Sequence, residues 1–349
     1  MGRSNSTGPA SNNETEPEIF LLTGLSSQPH TRVVLFVVFF ILYLITILGN
    51  GLIVLLIIAD SHLQTPMYFF LGNLSLLDIC YTSSTIPQML VHSLTKRPTI
   101  TNARCFIQMC ISLFLGVAEC ILLAVMAYDR YVAICSPLHY TLIMNRKKCG
   151  WLATSSWALA FLLTIVPSFT MKIQLCGHNV IDHFACEVQA VVKLACSDIS
   201  ANMGLMSGSS VFTLLVPFAF ILVTYVRISL AVFRIRSAHG WSKAFSTCGS
   251  HLTVVGIFYG TAMAMYLRPR NRSSEQDKFV AIVYAVVTPM LNPIIYSLRN
   301  KDVKEALGRI MGRNPFTSVI SICPANRIFL FHFRTMDSSL HTAMLPFSY

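Results

Sequence analysis

Charge is what this sequence has least of. Lys, Arg, Asp and Glu make up 12% of its 349 residues, about half of the roughly 25% that a soluble domain keeps on its surface. A chain that is 54% hydrophobic with so little charge is built for a bilayer. Also missing is a cleavable leader. The first 32 residues are polar, with no basic stretch followed by an apolar one, so the first apolar span is expected to insert as an uncleaved signal anchor. No internal repeat is visible, which argues against a transporter built from two halves. No nucleophile and base pair up at bilayer depth, nor does any metal-ligand spacing appear there, so the chain is not read as an enzyme.

What is present is apolar length. A hydrocarbon core of ~30 Å takes about 20 helical residues to cross, and runs of that length lie at 33–59, 66–91, 105–135, 148–168, 202–233, 244–267 and 279–298. The fold class expected is an all-α membrane protein, a seven-transmembrane helix bundle. Its parts are an N-terminal segment, 1–32, a bundle, 33–298, an amphipathic helix, 299–313, and a C-terminal tail, 314–349, expected to be disordered. An odd number of spans puts the termini on opposite sides. Lys and Arg divide 13 on the proposed cytosolic side against 11 on the other, too even a split to orient the chain. The sequons at Asn5 and Asn13 make sense only if the head is luminal and later extracellular. Asn73 also begins a sequon, but inside a span. The net charge of +11 is scattered over loops without interleaved stacking aromatics, so it points to anionic lipid surfaces and not to nucleic acid.

Most of the 11 Cys sit within spans as small hydrophobes. Cys105, at the start of the third span, and Cys176, Cys186 and Cys196 in the following long loop stand apart. On an oxidising side, four Cys allow three pairings, and spacing does not choose among them. "HFACE", 183 to 187, has a soft-metal look, but a disulfide at Cys186 would remove the thiolate a metal needs.

Two acids lie deep in the spans, Asp78 in "NLSLLDIC" and Glu119 in "GVAECILL". Each needs a partner inside the bundle, and neither has a basic residue in a neighbouring span. Asn50, Asn73, Ser75 and Asn292 match them in depth, giving an oxygen set for a small cation or a shared proton. The structural alternative is a pair of protonated, hydrogen-bonded acids. Asp129 and Arg130 differ, since they stand at the cytosolic edge. Neighbours on a helix point about 100° apart and cannot pair along one face. Arg130 is therefore free to reach another helix while Asp129 restrains it from the side. Pro217, Pro289 and Pro293 each remove a backbone bond inside the fifth or seventh span and give it a hinge.

Several blocks then carry a resemblance: "GN" at 49–50, "PMYFFLGNLSLLDICY" at 66–81, "MAYDRYVAICSPLHY" at 126–140, "KAFSTCGSHL" at 243–252, "FYG" at 258–260 and "PMLNPIIYSLRNKDVKEAL" at 289–307. Taken in this order, over about residues 20 to 312, the chain resembles a vertebrate olfactory receptor of the rhodopsin-like G-protein-coupled class. The resemblance implies a plasma-membrane receptor of olfactory cilia that binds an odorant and activates a stimulatory G protein, raising cyclic AMP. It implies a cytosolic switch of Asp129, Arg130 and Tyr131, with Tyr225 and Tyr296 supporting the active state, Asn292 and Pro293 as a joint, and Lys243 and Ser246 at the G-protein surface. It implies sodium at Asp78 and Glu119, and disulfides Cys105–Cys186 and Cys176–Cys196.

Helical spacing puts Ser112, Leu113 and Gly116 on one face of the third span, Ser209 and Thr213 on one of the fifth, and Tyr259, Ala262, Met263 and Tyr266 on one of the sixth. In the family these faces line the odorant pocket. Absences again narrow the ligand. The outer third span, "CFIQMCISLFLGVA", has no acid to pair with an amine, and the seventh span has no Lys to hold retinal. A small, volatile, largely apolar ligand is what such a cavity suits. After the seventh span, "RNKDVKEALGRIMGR" puts Val303, Ala306, Leu307, Ile310 and Met311 on one stripe, an amphipathic helix for the inner leaflet. The tail beyond Arg313 matches nothing in the family and keeps a second reading open, a receptor-like protein that does not signal.

Overall fold

The computed structural model describes residues 18–170, 179–195, 200–233, 238–267, 274–298 and 301–312. The tail, Asn5, Asn13, Cys176 and Cys196 lie outside them. Seven long helical rods run through the described residues: α1 (Pro29–Ala59), α2 (Pro66–Leu94), α3 (Asn102–Cys135), α5 (Arg146–Thr170), α7 (Ser200–Phe233), α8 (Ala238–Tyr266), and a seventh made of α9 (Ser274–Ile282) and α10 (Thr288–Leu298). Two short helices, α4 (Tyr140–Ile143) and α6 (Val188–Val192), sit in loops, and α11 (Lys301–Gly312) follows the seventh rod. The rods match the expected spans to within a few residues.

Local chemistry sets their ends. Pro29 and Pro66 open α1 and α2, where a missing N–H costs nothing and a fixed φ helps. Thr101 caps α3 by accepting from the Arg104 N–H at 3.4 Å. Five rods are long and apolar enough to cross a membrane by length and composition: α1, α3, α5, α7 from Gly208, and the seventh from Glu275 to Tyr296. α2 and α8 are more polar, and the structure shows why they can be. Ser75, Asp78, Thr82 and Thr85 on α2, like Ser250 and His251 on α8, are buried inside the protein; Asp78, Ser250 and His251 bond to other helices, and Thr82 bonds to the carbonyls of its own turn.

Lipid tails are as apolar as Leu, so close packing and interhelical bonds hold such rods together. α3 is central and packs against α2, α5, α7 and α8. Buried alanines, Ala127 on α3 and Ala153 and Ala160 on α5, allow close approach. Asn73 is partly buried and accepts from the Trp157 indole at 3.4 Å, so its sequon is a packing residue. Gly49 meets the seventh rod: a Cβ there would stand 3.0 Å from the Pro293 ring.

Two features depart from the sequence reading. The N-terminal segment 1–32 contains a strand, β1 (Ile19–Leu22), which pairs antiparallel with β2 (Thr99–Thr101) and parallel with β3 (Val180–Ile181). Four residues are too few to show a period in the sequence, but Phe20 and Leu22 point inward into a small second core with Ile100 and Ile181. The seventh rod is not one continuous α-helix either. Val283–Val287 forms a wide π turn just before Pro289. A proline removes its own N–H bond and its ring crowds the carbonyl four residues back, which loosens that turn.

At the end of the bundle away from β1, Arg309 of α11 reaches Asp60 after α1 through two bonds of 2.8 and 2.9 Å, and the Tyr68 hydroxyl donates to Asp302 at 2.9 Å. Burial alone would raise the Asp60 carboxyl, but bonds from His62 and Arg309 outweigh it and hold it at about 2. Val303 and Ala306, from the expected stripe, are buried against the bundle.

Candidate functional site

Between the rods and the long loop lies a cavity of about 40 Å³, with Ser112, Leu113 and Tyr266 in its wall. The Cys105–Cys186 disulfide, with sulfurs 2.07 Å apart, ties the loop to the start of α3. Gln108 reinforces the tie: its side-chain oxygen accepts from the Cys186 N–H at 3.0 Å and its amide donates to the Ser84 carbonyl at 3.0 Å. The loop therefore forms a lid, further pinned where Lys278 of α9 meets Asp182 at 2.9 Å.

The other expected pocket residues are placed differently. Gly116 lies one turn below Ser112, and a Cβ on it would stand 2.5 Å from the Tyr284 hydroxyl. Tyr259 is buried beneath, donating to the Cys120 carbonyl at 3.0 Å, and Ala262 and Met263 pack in the main core. Ser209 is on an exposed face of α7, and Thr213 donates back to the Ser209 carbonyl at 2.9 Å. None of these six lines the cavity. Helical spacing identifies which residues share a face but not which way that face is rotated in the bundle. Among the cavity residues given no ligand role from the sequence are Tyr81, Tyr284 and Glu187. Tyr284 is brought in by the π turn, which no pattern announces, and meets Tyr81 edge-on at 5.4 Å. Glu187 was in view as part of "HFACE", but only folding the loop over α3 puts its carboxylate at the cavity.

Below the cavity, the Asn292 amide donates to both Asp78 oxygens at 3.1 and 3.0 Å. Glu119 also faces Asn292, and its charge is felt by Asp78. Asn50 stands beside them with its amide on the Pro289 carbonyl at 3.0 Å. Four buried oxygens of this group, Asn50 Oδ1, Asn292 Oδ1, Glu119 Oε1 and the Tyr296 hydroxyl, have no hydrogen-bond partner among the described residues. Such orphaned acceptors beside two carboxylates fit a hard cation, which takes oxygen ligands.

At the end of the bundle away from β1, Asp129 and Arg130 are both buried, Arg130 to 6% exposure. The Tyr140 hydroxyl of α4 donates to Asp129 at 2.8 Å. Arg130 lies close enough to Tyr225, His251 and Tyr296 for its charge to act on all three. Tyr225 and His251 hydrogen-bond at 2.8 Å with rings stacked 5.8 Å apart, which joins α7 to α8 close to Arg130. His251 belongs to the "KAFSTCGSHL" block but was given no role from sequence. Tyr131 is partly buried beside this group, and Pro293 follows Asn292 on α10. Lys243 and Ser246 lie on α8, but their side chains are outside the described residues.

A seven-helix bundle with a lidded cavity at one end, a buried polar cluster in the middle and a covered Arg at the other end is a transmembrane receptor. Its family follows from comparison with known proteins. The family model described as olfactory receptor matches residues 39–314. Human olfactory receptor 13H1 is 50% identical over 303 residues, covering 86% of this chain and 98% of the relative. Human olfactory receptor 2K2 is 50% identical over 84% of this chain and 94% of its own length. Mouse olfactory receptor 2C1 is 49% identical over 84% and 95%. The chain belongs to the olfactory receptor family, and is a multi-pass membrane protein whose relatives are receptors and not enzymes.

Proposed function

We propose that the chain is an odorant receptor of the plasma membrane of olfactory cilia, with its N-terminus extracellular, coupled to a stimulatory, olfactory-type G protein that raises cyclic AMP. The observation that carries this reading is Arg130, buried close to the Tyr225–His251 bond that joins α7 to α8. An Arg covered in this way becomes available to a partner only when α7 and α8 separate. An odorant that binds the separated state better shifts the population toward it. The ligand is small, volatile and largely apolar, packing on Met109 and Leu113, with Glu187 able to accept one hydrogen bond.

Sodium at Asp78 and Glu119 favours the closed packing, because the orphaned oxygens around them converge only while the rods stay together. Glu119→Gln should flatten the dependence of basal cyclic AMP on sodium at matched ionic strength.

The functional test is an odorant panel applied to cells co-expressing the olfactory-type G protein, read as cyclic AMP. Arg130→Ala should abolish the response at normal surface level. A full response from that variant would remove the switch, and no response from the wild-type protein to any odorant would favour the non-signalling reading.

A further inference from the structure

The outer end of the bundle holds two cavities of opposite charge. The inner one, described above, has the Glu187 carboxylate in its wall and no Lys or Arg. The other is larger, about 380 Å³, and lies between β1, the top of α1 and the end of α2. Arg32, Lys96 and Arg97 line it, and among its lining residues there is no Asp or Glu. The rest of its wall is largely apolar, with Leu22, Met89 and Phe184 among it. Arg32 is fixed at this wall. One of its amino groups donates to the His92 carbonyl at 2.8 Å and to the Thr95 carbonyl, the loose carbonyls at the end of α2. Those bonds use a single nitrogen of a fork that carries five N–H donors.

We propose that this outer cavity is a second ligand site, which takes a small amphiphile with a negatively charged head, a carboxylate or phosphate, on a short apolar tail. The volume falls within the roughly 300–1,000 Å³ of small-molecule sites. Three cations around a partly enclosed space, with no acid among the lining residues, focus a positive potential that concentrates anions. Leu22, Met89 and Phe184 supply the apolar surface for the tail. The inner cavity has the opposite bias, since Glu187 repels an anion there. The two cavities thus sort ligands by charge.

They also share a wall. Phe184 lines both, is 3% exposed, and stacks on His183 at 4.4 Å. An amphiphile seated in the outer cavity presses on the ring that bounds the inner one. The outer site is a place from which an anion can alter odorant binding without entering the odorant cavity. Its existence does not depend on G-protein coupling.

The same head chemistry can arrive from water as a short fatty acid or from the bilayer as an anionic lipid, and the experiment separates the two. The purified full-length receptor in phosphatidylcholine nanodiscs is titrated with radiolabelled octanoate, and with octylamine and octanol as matched controls. Saturable octanoate binding is expected, at least tenfold weaker in Lys96→Glu/Arg97→Glu and undiminished in Ser112→Trp, which obstructs the inner cavity. Lys96 and Arg97 are exposed loop residues, so their replacement does not endanger folding. In a second arm the discs contain phosphatidylglycerol, and retained lipid is counted by native mass spectrometry. Retention that disappears in Lys96→Glu/Arg97→Glu identifies the lipid as the occupant and supports the site. The proposal is overturned if neither octanoate nor phosphatidylglycerol binds in a manner that depends on Lys96 and Arg97. It is equally overturned if octylamine or octanol binds as well as octanoate, or if Ser112→Trp abolishes octanoate binding.

Discussion

The side-chain amide of Asn50 donates to the Pro289 carbonyl at 3.0 Å, joining α1 to the seventh rod. That carbonyl is available because of Pro293. In an α-helix the carbonyl of residue 289 would accept from the N–H of residue 293, and proline has none. The "GN" and "NP" dipeptides, whose asparagines stand 242 residues apart in the chain, thus meet over one broken hydrogen bond. Asn50→Ala leaves the carbonyl unsatisfied at bilayer depth and is expected to cost about 1–2 kcal/mol. In a Pro293→Ala background the helix satisfies its own carbonyl, and the same substitution should cost less. Thermal melting of the four proteins of this cycle, purified in one detergent, checks it; equal costs in both backgrounds would refute the coupling.

Gly116 and Tyr284 form a second matched pair. A Cβ on Gly116 would stand 2.5 Å from the Tyr284 hydroxyl, and the next ring atom is already 3.7 Å away. Gly116→Ala should therefore displace Tyr284 and lower odorant potency roughly tenfold, about 1.4 kcal/mol. Removing only the hydroxyl relieves the collision, so Gly116→Ala with Tyr284→Phe should recover most of the loss. A dose–response series of the single and double variants tests this, and a double variant no better than Gly116→Ala would show that the clash is not the cause.

The Tyr225–His251 bond closes α7 against α8 close to Arg130. His251→Leu keeps the bulk and removes the bond. If that bond contributes about 1 kcal/mol to the closed state, basal cyclic AMP should rise about fivefold while the open state remains a minority. Unchanged or reduced basal signalling at equal surface expression would mean that the bond does not restrain opening.

The lid should weaken in mild acid. Burial pushes the His183 imidazole down to about 4, from 6.5 for an ordinary His. The nearby Lys278 charge lowers it further, against Asp277, Asp182 and the Ala185 carbonyl, which favour protonation. With the folded value depressed, the unfolded lid takes up a proton first. Stability is therefore full above about 6.5 and is lost as pH falls toward 4, by on the order of 3 kcal/mol. Melting curves between pH 7.5 and 4.5 should show the decline in the wild-type protein and a smaller one in His183→Asn. Equal slopes in the two would rule out this histidine as the source.

The spans, their number and the place of Asp129 and Arg130 at the end of one of them were all legible in the sequence, because each follows from local composition. A run of about 20 apolar residues can satisfy its backbone in lipid only as a helix, and a charged pair at its end must lie near the interface. Asp78, Glu119, Asn50 and Asn292 could likewise be grouped by depth alone. What depth does not contain is rotation. The 3.6-residue period places Ser209 beside Thr213 and Tyr259 beside Met263, but neighbouring rods choose the face that turns inward, and they place Ser209 on an exposed face and Tyr259 beneath the cavity. Tyr284 enters through a π turn that shifts every later side chain on the rod relative to the α-helical count. Glu187 reaches the cavity because a disulfide draws its loop over α3. Composition and period settled the spans and their depth residue by residue along the chain; the residues that face a ligand were decided between helices, where packing and the Cys105–Cys186 crosslink fix rotation and register that no local pattern encodes.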